Sequence, residues 1–200
     1  IFCGDNGLIA SSSDYGTNWQ VFNIYSSEKL VYCKVKSPGN FQVISASGIV
    51  FTSTDNGLGW VASDLKLKMP LSNIVVLEDG RLLSAGIDGN ITVIEPDLNT
   101  NSSINFIFQN GFKAVGNSGG NSAIAVGYSG LCVLIKAKSS NVNDGWHLFE
   151  NITGNLSFND VYLFSNKKAI AVGNNGVILL KQSGSSSWSN VNSGVDNDLQ

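Results

Sequence analysis

Short apolar runs recur along this chain, each behind a turn of small residues. The turns read Gly4-Asp5-Asn6-Gly7, Ser45-Ala46-Ser47-Gly48, Gly86-Ile87-Asp88-Gly89, Gly127-Tyr128-Ser129-Gly130 and Gly173-Asn174-Asn175-Gly176. The runs behind them are Leu8-Ile9, Ile49-Val50-Phe51, Ile91-Thr92-Val93-Ile94, Leu131 to Ile135 and Val177 to Leu180. From one closing glycine to the next the spacing is 41, 41, 41 and 46 residues. Asn-Gly and Asp-Gly are strong hairpin signals, because both central residues of the favoured turns need positive φ. No stretch sustains a helical period. The pattern predicts five units of short strands rich in Val, Ile, Phe and Tyr, punctuated by Gly, Asn and Ser. In the fifth unit the strands are expected at Asp160–Phe164, Lys168–Gly173, Gly176–Lys181 and Trp188–Val191.

Repeats of about 40–45 residues with four strands each are read as the blades of an all-β propeller. The repeats run approximately 1–28, 29–70, 71–110, 111–157 and 158–200, within a single propeller domain spanning 1–200. Ile1-Phe2-Cys3-Gly4 aligns with the second strand of the fifth unit, Ile170-Ala171-Val172-Gly173. Asn197-Asp198-Leu199 echoes the start of a first strand, Asn159-Asp160-Val161. Two readings stay open: a ring of five closed by pairing these ends, or a window on a larger ring of about six to eight blades.

A second pattern lies downstream of the first two turns. Ser12-Ser13-Asp14-Tyr15-Gly16-Thr17-Asn18-Trp19 and Ser53-Thr54-Asp55-Asn56-Gly57-Leu58-Gly59-Trp60 both read S-x-D-x-G-x-x-W. A short Ser or Asp side chain can accept backbone N–H groups a few residues on and so close a turn. Gly at the fifth position tolerates positive φ, and the Trp offers an apolar anchor to the next strand. Ser12, Asp14, Gly16, Trp19, Ser53, Asp55, Gly57 and Trp60 are therefore assigned to turn structure. Trp188 keeps the 12-residue spacing from its turn glycine, Trp146 lies 16 past, and Phe106 stands in for the missing Trp of the third unit. The fifth unit carries Lys181, Ser183 and Ser185 where Ser, Asp and Gly would stand, and the third carries Glu95-Pro96-Asp97.

The octapeptide resembles the Asp box, or BNR repeat, of sialidases, sortilin-type receptors, some glycoside hydrolases and the photosystem II stability/assembly factors. The resemblance implies a β-propeller with the box at the turn between a blade's third and fourth strands. The order of small residues, Gly-x-x-Gly, apolar strand, box and Trp is most similar to the photosystem II assembly-factor group; here it runs from Ala169 through Trp188, with a degenerate box. That likeness implies a protein-binding, assembly-factor-like role and a secreted or extracytoplasmic setting. The arginine-rich surface described for plant and cyanobacterial members has no counterpart in a chain whose sole arginine is Arg81.

Composition narrows the chemistry. Net charge is −3 and 14% of residues are charged, so a basic nucleic-acid surface is not expected. No apolar run approaches the ~20 residues of a membrane-spanning helix. Lys66/Lys68 and Lys167/Lys168 are read as solvated loops or strand edges. Cys3, Cys33 and Cys132 form neither a disulfide framework nor a zinc site; buried free thiols are the plain reading, with a Cys3–Cys33 bridge as the alternative. Asn90, Asn101, Asn151 and Asn155 begin sequons, meaningful only in a protein secreted from a eukaryotic cell. No cofactor or metal is implied: no phosphate loop, paired His ligands or calcium loop occurs, and His147 is the lone histidine.

A sialidase grips its substrate carboxylate with three arginines, a task for guanidinium forks; Arg81 alone cannot build that site, so sialidase activity is not expected unless further blades supply the arginines. A different glycoside hydrolase needs two opposed carboxylates, for which Asp5 and Asp88 are the candidates. Strand alternation puts the turns between second and third strands on the face that also holds the links between blades. The candidate binding residues on that face are Asp5, Asn6, Ser47, Asp88, Tyr128, Asn174 and Asn175. The expectation is a non-enzymatic scaffold that binds a protein, with a glycan-binding or glycan-cleaving propeller as the alternative.

Overall fold

The computed structural model describes residues 1–200 except Tyr25, Met69, 99–100, 106–110, 137–146, 150–151, 153–154 and Asn166; at 104–105 and 147–149 only the backbone is described. Phe106, Trp146, the polar stretch 139–144 and the Asn151 sequon accordingly lie outside the described residues. The chain divides into two compact units, Ile1–Leu71 and Ser72–Gln200.

The first unit holds two antiparallel sheets. One has three strands, β1 (Phe2–Cys3), β2 (Leu8–Ser11) and β3 (Gln20–Asn23). The other runs β4 (Leu30–Ser37), β5 (Asn40–Ser45), β6 (Ile49–Ser53) and β7 (Val61–Asp64). The second unit holds three four-stranded sheets in sequence order. They are β8 (Asn73–Val76) to β11 (Asn101–Asn105) through β9 (Leu82–Ala85) and β10 (Asn90–Ile94); β12 (Phe112–Asn117) to β15 (His147–Phe149) through β13 (Ser122–Gly127) and β14 (Cys132–Lys136); and β16 (Phe158–Leu163) to β19 (Trp188–Val191) through β17 (Ala169–Gly173) and β18 (Ile178–Lys181). All-β meanders of this kind match the repeat pattern.

Burial explains why the middle strands read as apolar runs and not as alternations. β9 and β10 are buried at every residue, whereas β7 is exposed at every residue. A strand covered on both faces needs apolar residues on both. On β13, Ala123 and Ala125 pack with Leu83, Val93 and Phe112, while Ile124 and Val126 pack with Phe158 and Val161. One strand thus serves two cores. In the first unit Ile9, Leu30 and Val43 form the corresponding core.

The first strand of the fifth unit begins at Phe158, earlier than the expected Asp160, and three of the first strands share an irregularity. The register of β16 shifts between Phe158 and Asp160, that of β12 between Phe112 and Ala114, and that of β4 between Leu30 and Tyr32. Each is a bulge that inserts one residue and bends the strand. The extra residue breaks the period-two pattern, which is why Phe158 and Asn159 fall outside the predicted span. Phe112 and Phe158 sit fully buried at these strand starts, each contributing roughly 2–3 kcal/mol of burial.

Candidate functional site

The two S-x-D-x-G-x-x-W turns fold alike. Ser12 Oγ donates to Asp14 Oδ1 (2.8 Å) and accepts the Gly16 N–H (2.8 Å). Asp14 Oδ1 accepts the Asn18 N–H at 2.9 Å, and Oδ2 accepts the Asn18 amide at 2.7 Å. In the second turn Ser53 Oγ donates to Asp55 (2.8 Å) and accepts Gly57 N–H (3.0 Å), while Asp55 accepts Gly59 N–H (2.8 Å). Both indoles fold back: Trp19 Nε1 donates to the Gly16 carbonyl (3.0 Å) and Trp60 Nε1 to that of Gly57 (3.1 Å). The chain passes the corner through paired left-handed residues, Tyr15 (φ 58°) with Gly16 (87°), and Asn56 (60°) with Gly57 (87°). Bonds donated by Asn18, then by Ser12, hold the Asp14 carboxyl down at about 2. Asp55 is lowered likewise by the Gly59 N–H and then Ser53. Each indole thus helps lock the corner that precedes the next strand.

The Gly-x-x-Gly turns do something the sequence did not disclose. In three of them a residue in left-handed conformation precedes the closing glycine: Asn6 (φ 56°), Ser129 (53°) and Asn175 (54°). Their backbone groups are bonded to the segment that leads into the following sheet, or to the chain's last residues. Gly7 N–H donates to the Glu28 carbonyl (3.1 Å) and Leu30 N–H to that of Gly4 (3.1 Å). Phe112 N–H donates to the Gly86 carbonyl (3.0 Å) and Gly130 N–H to that of Leu156 (2.7 Å). Gly176 N–H donates to the Asn197 carbonyl (2.8 Å) and Leu199 N–H to that of Gly173 (3.0 Å). A Cβ on Gly7 would lie 2.9 Å from the Ser26 carbonyl oxygen, and one on Gly176 1.8 Å from that of Val195. Close approach, besides positive φ, requires glycine there. The turns therefore act as clasps on the links.

The predicted binding residues occupy these clasps. Asn6 accepts the Asn23 amide at its carbonyl (3.1 Å), Ser47 Oγ donates to Glu28 Oε2 (2.7 Å), and Asn175 N–H donates to Asp198 Oδ1 (3.0 Å). The side chains of Asp5, Asp88 and Tyr128 are exposed, and Asn174 is half-buried. Tyr128 carries the Lys113 ammonium 4.5 Å above its ring. Asp5, Asn6 and Ser47 belong to the first compact unit; Asp88, Tyr128, Asn174 and Asn175 belong to the second.

Arg81 is 6% exposed, and its guanidinium is engaged by Asp79, with Nη2 2.6 Å and Nε 2.9 Å from Oδ2. The Arg81 bond holds the Asp79 carboxyl below its ordinary range. Cys132 is buried, but Cys3 and Cys33 are half-exposed free thiols, which departs from the expectation of three buried ones. A hydrogen bond between those two thiols pushes Cys3 up and draws Cys33 down to about 7. Asn90 is fully buried, so its sequon cannot carry a glycan in the folded protein; Asn101 and Asn155 are exposed. Among the described residues, no group of three or more His, Cys, Asp or Glu side chains is placed to hold a metal, and no helix is long and apolar enough to cross a membrane.

Two clefts lie away from the clasps. One, of about 1040 Å³ in the first unit, runs beside the Ser12–Trp19 turn and is lined by Val21, Phe22, Val35 and Phe41 with Asn18, Gln20 and Asn56. The other, of about 660 Å³ in the second unit, lies beside Lys136, Lys167 and Lys181. Its signal in the sequence was Lys181 standing in a serine's place.

No family model and no characterised protein matches the chain by sequence. Its structure is similar to solved ones. One, described as YCF48 bound to D1 peptide, aligns with a TM-score of 0.70 at 14% identity, covering 95% of this chain and 62% of that one. Another, YCF48 from Cyanidioschyzon merolae, aligns with a TM-score of 0.75 at 13% identity, covering 94% of this chain and 68% of that one. The chain has a β-propeller fold. It resembles the photosystem II assembly-factor propellers, as the order of its repeat features implied, and spans about two thirds of their length. At this identity the likeness speaks for the fold, and the sites of this propeller rest on its own residues.

Proposed function

We propose that this chain is a non-enzymatic propeller scaffold that holds a protein partner. The observation that carries the reading is where its polar chemistry goes. Asp14 and Asp55 accept bonds from their own turns, and Arg81 is tied to Asp79. These are the residue types a glycoside hydrolase would turn toward its substrate. The two S-x-D-x-G-x-x-W motifs are accordingly assigned to structure, and Asp5, Asn6, Ser47, Asp88, Tyr128, Asn174 and Asn175 to the candidate binding face. A solved propeller of similar fold is described with a bound peptide, which gives the reading a precedent.

The test is direct. The purified chain is offered a panel of aryl glycosides, a glycan array and an array of tiled peptides. Retention of peptides without turnover or glycan binding is the expected result. Glycoside hydrolysis that disappears in Asp5→Ala or Asp88→Ala would overturn the scaffold reading in favour of an enzyme. Saturable binding on the glycan array alone would replace it with a lectin.

A further inference from the structure

The cleft of about 660 Å³ in the second unit has a consistent chemistry. Its lining includes Ile124, Leu134 and Leu163, of which Ile124 and Leu163 are buried at 0% and 3% exposure. Three ammonium groups border it, each from a different element: Lys136 ends β14, Lys167 lies in the turn between β16 and β17, and Lys181 ends β18. Among the described residues, Glu78 is the one carboxylate in the lining. The described lining thus carries an excess of positive charge in a chain whose net charge is −3, and such an excess beside apolar walls draws ligands of the other sign.

Lys181 is the unusual member. It fills the position of Ser12 and Ser53 in the first two units, and it is 6% exposed. Its ammonium donates to the Ser185 carbonyl and lies 5.9 Å from the centre of the Trp188 ring. A lysine is a costly way to close a turn that serine closes elsewhere, because burying an ammonium sacrifices hydration. The wall is also bare: a Cβ on Gly119 or Gly184 would meet no atom within 4 Å. A ligand's backbone has room to approach there.

We propose that this cleft binds an acidic, partly apolar segment of a partner protein, its carboxylates reaching the lysines and its apolar side chains resting on the half-buried Leu134, with Ile124 and Leu163 packed beneath. The inference takes the kind of ligand from the protein-partner reading, but places it at the ends of β14 and β18, away from the Gly-x-x-Gly turns. An apolar residue, Leu134, beside the ammonium groups suits a segment that carries both carboxylates and apolar side chains better than a compact anion. Lysine serves as a point charge for such a ligand.

The test is fluorescence anisotropy with three probes: a labelled peptide alternating glutamate and leucine, the same peptide with glutamine for glutamate, and inorganic phosphate as competitor. The glutamate peptide is expected to bind, more weakly as salt rises, and the glutamine peptide about tenfold less tightly. Lys136→Gln with Lys167→Gln is expected to weaken binding about fivefold to tenfold. Lys34→Gln with Lys36→Gln, in the first unit, is the control and is expected to leave it unchanged. Equal binding of both peptides, equal loss in the control, or displacement by phosphate at matched ionic strength would each overturn the proposal. The tiled peptide array separates this from the broader reading. Non-acidic peptides retained equally by the Lys136/Lys167 variant would sink the cleft and leave the scaffold standing, whereas no retained peptide at all would sink both.

Discussion

The turn from Ser53 to Trp60 and the turn from Lys181 to Trp188 have the same length and the same place in their sheets, yet opposite chemistry. In the first, a buried serine accepts the Gly57 N–H at 3.0 Å and an aspartate accepts Gly59 N–H at 2.8 Å. In the second, a buried lysine donates to the Ser185 carbonyl, while Ser187 N–H donates to Ser185 Oγ at 3.0 Å. Both tie the first position to the fifth; one does so with an acceptor and the other with a donor. The tie is kept in both corners with opposite polarity. What differs is the residue left over: a self-satisfied corner in one place, a cation beside a cleft in the other.

The largest expected effect tests how tightly each corner is built. A Cβ on Gly57 would stand 2.9 Å from Phe22 Cε1 at φ +87°, while one on Gly184 would meet nothing at φ +76°. Gly57→Ala therefore carries both a left-handed penalty and a clash and should cost roughly 2–3 kcal/mol. Gly184→Ala carries the conformational penalty alone, about 1 kcal/mol. Urea unfolding of the two variants measures the gap, and equal losses would show the two corners to be equally packed.

Next in size is the tie itself. Ser53→Ala leaves the buried Gly57 N–H without its acceptor and should cost about 1–2 kcal/mol. Lys181→Met keeps the stem's packing and removes the charge, so it should cost less than about 1 kcal/mol. The same variant should lose the affinity for the glutamate peptide. If Lys181→Met destabilises more than Ser53→Ala while leaving peptide binding intact, the lysine serves the turn only.

The fold was legible because blade strands buried on two faces leave apolar runs, and because left-handed corners demand Gly or Asn at a fixed spacing. The bulges at Val31, Lys113 and Asn159 were not, since one inserted residue merely blurs a period of two. Nor were the clasps legible. Their partners, Glu28, Leu156 and Asn197, bond through the backbone, which leaves no mark on residue identity. For the candidate site, the sequence flagged Lys181 as an anomaly but could not show that Lys136 and Lys167 share its cleft. That grouping depends on which hairpins of β12 to β19 converge.

The smallest expected effect concerns charge within the intact corners. Asp14 has its folded value drawn from 3.8 to about 2 by the Asn18 bonds and then the Ser12 hydroxyl. A lowered value means the folded state favours the carboxylate. Its contribution is thus present above the ordinary carboxylate range and is lost as pH falls through about 2. Because the carboxyl is exposed, solvent screening keeps that contribution small. Carboxyl carbon NMR should place the Asp14 midpoint near 2, and Ser12→Ala should raise it only partway to 3.8, because the Asn18 bonds remain. Across the same acid range the Ser185 and Ser187 amides should stay unchanged, since the turn from Lys181 to Trp188 contains no carboxylate. A midpoint of 3.8 for Asp14 would mean that its bonds to Asn18 do not persist in solution, and the two corners would then differ in sequence but not in how firmly they are held.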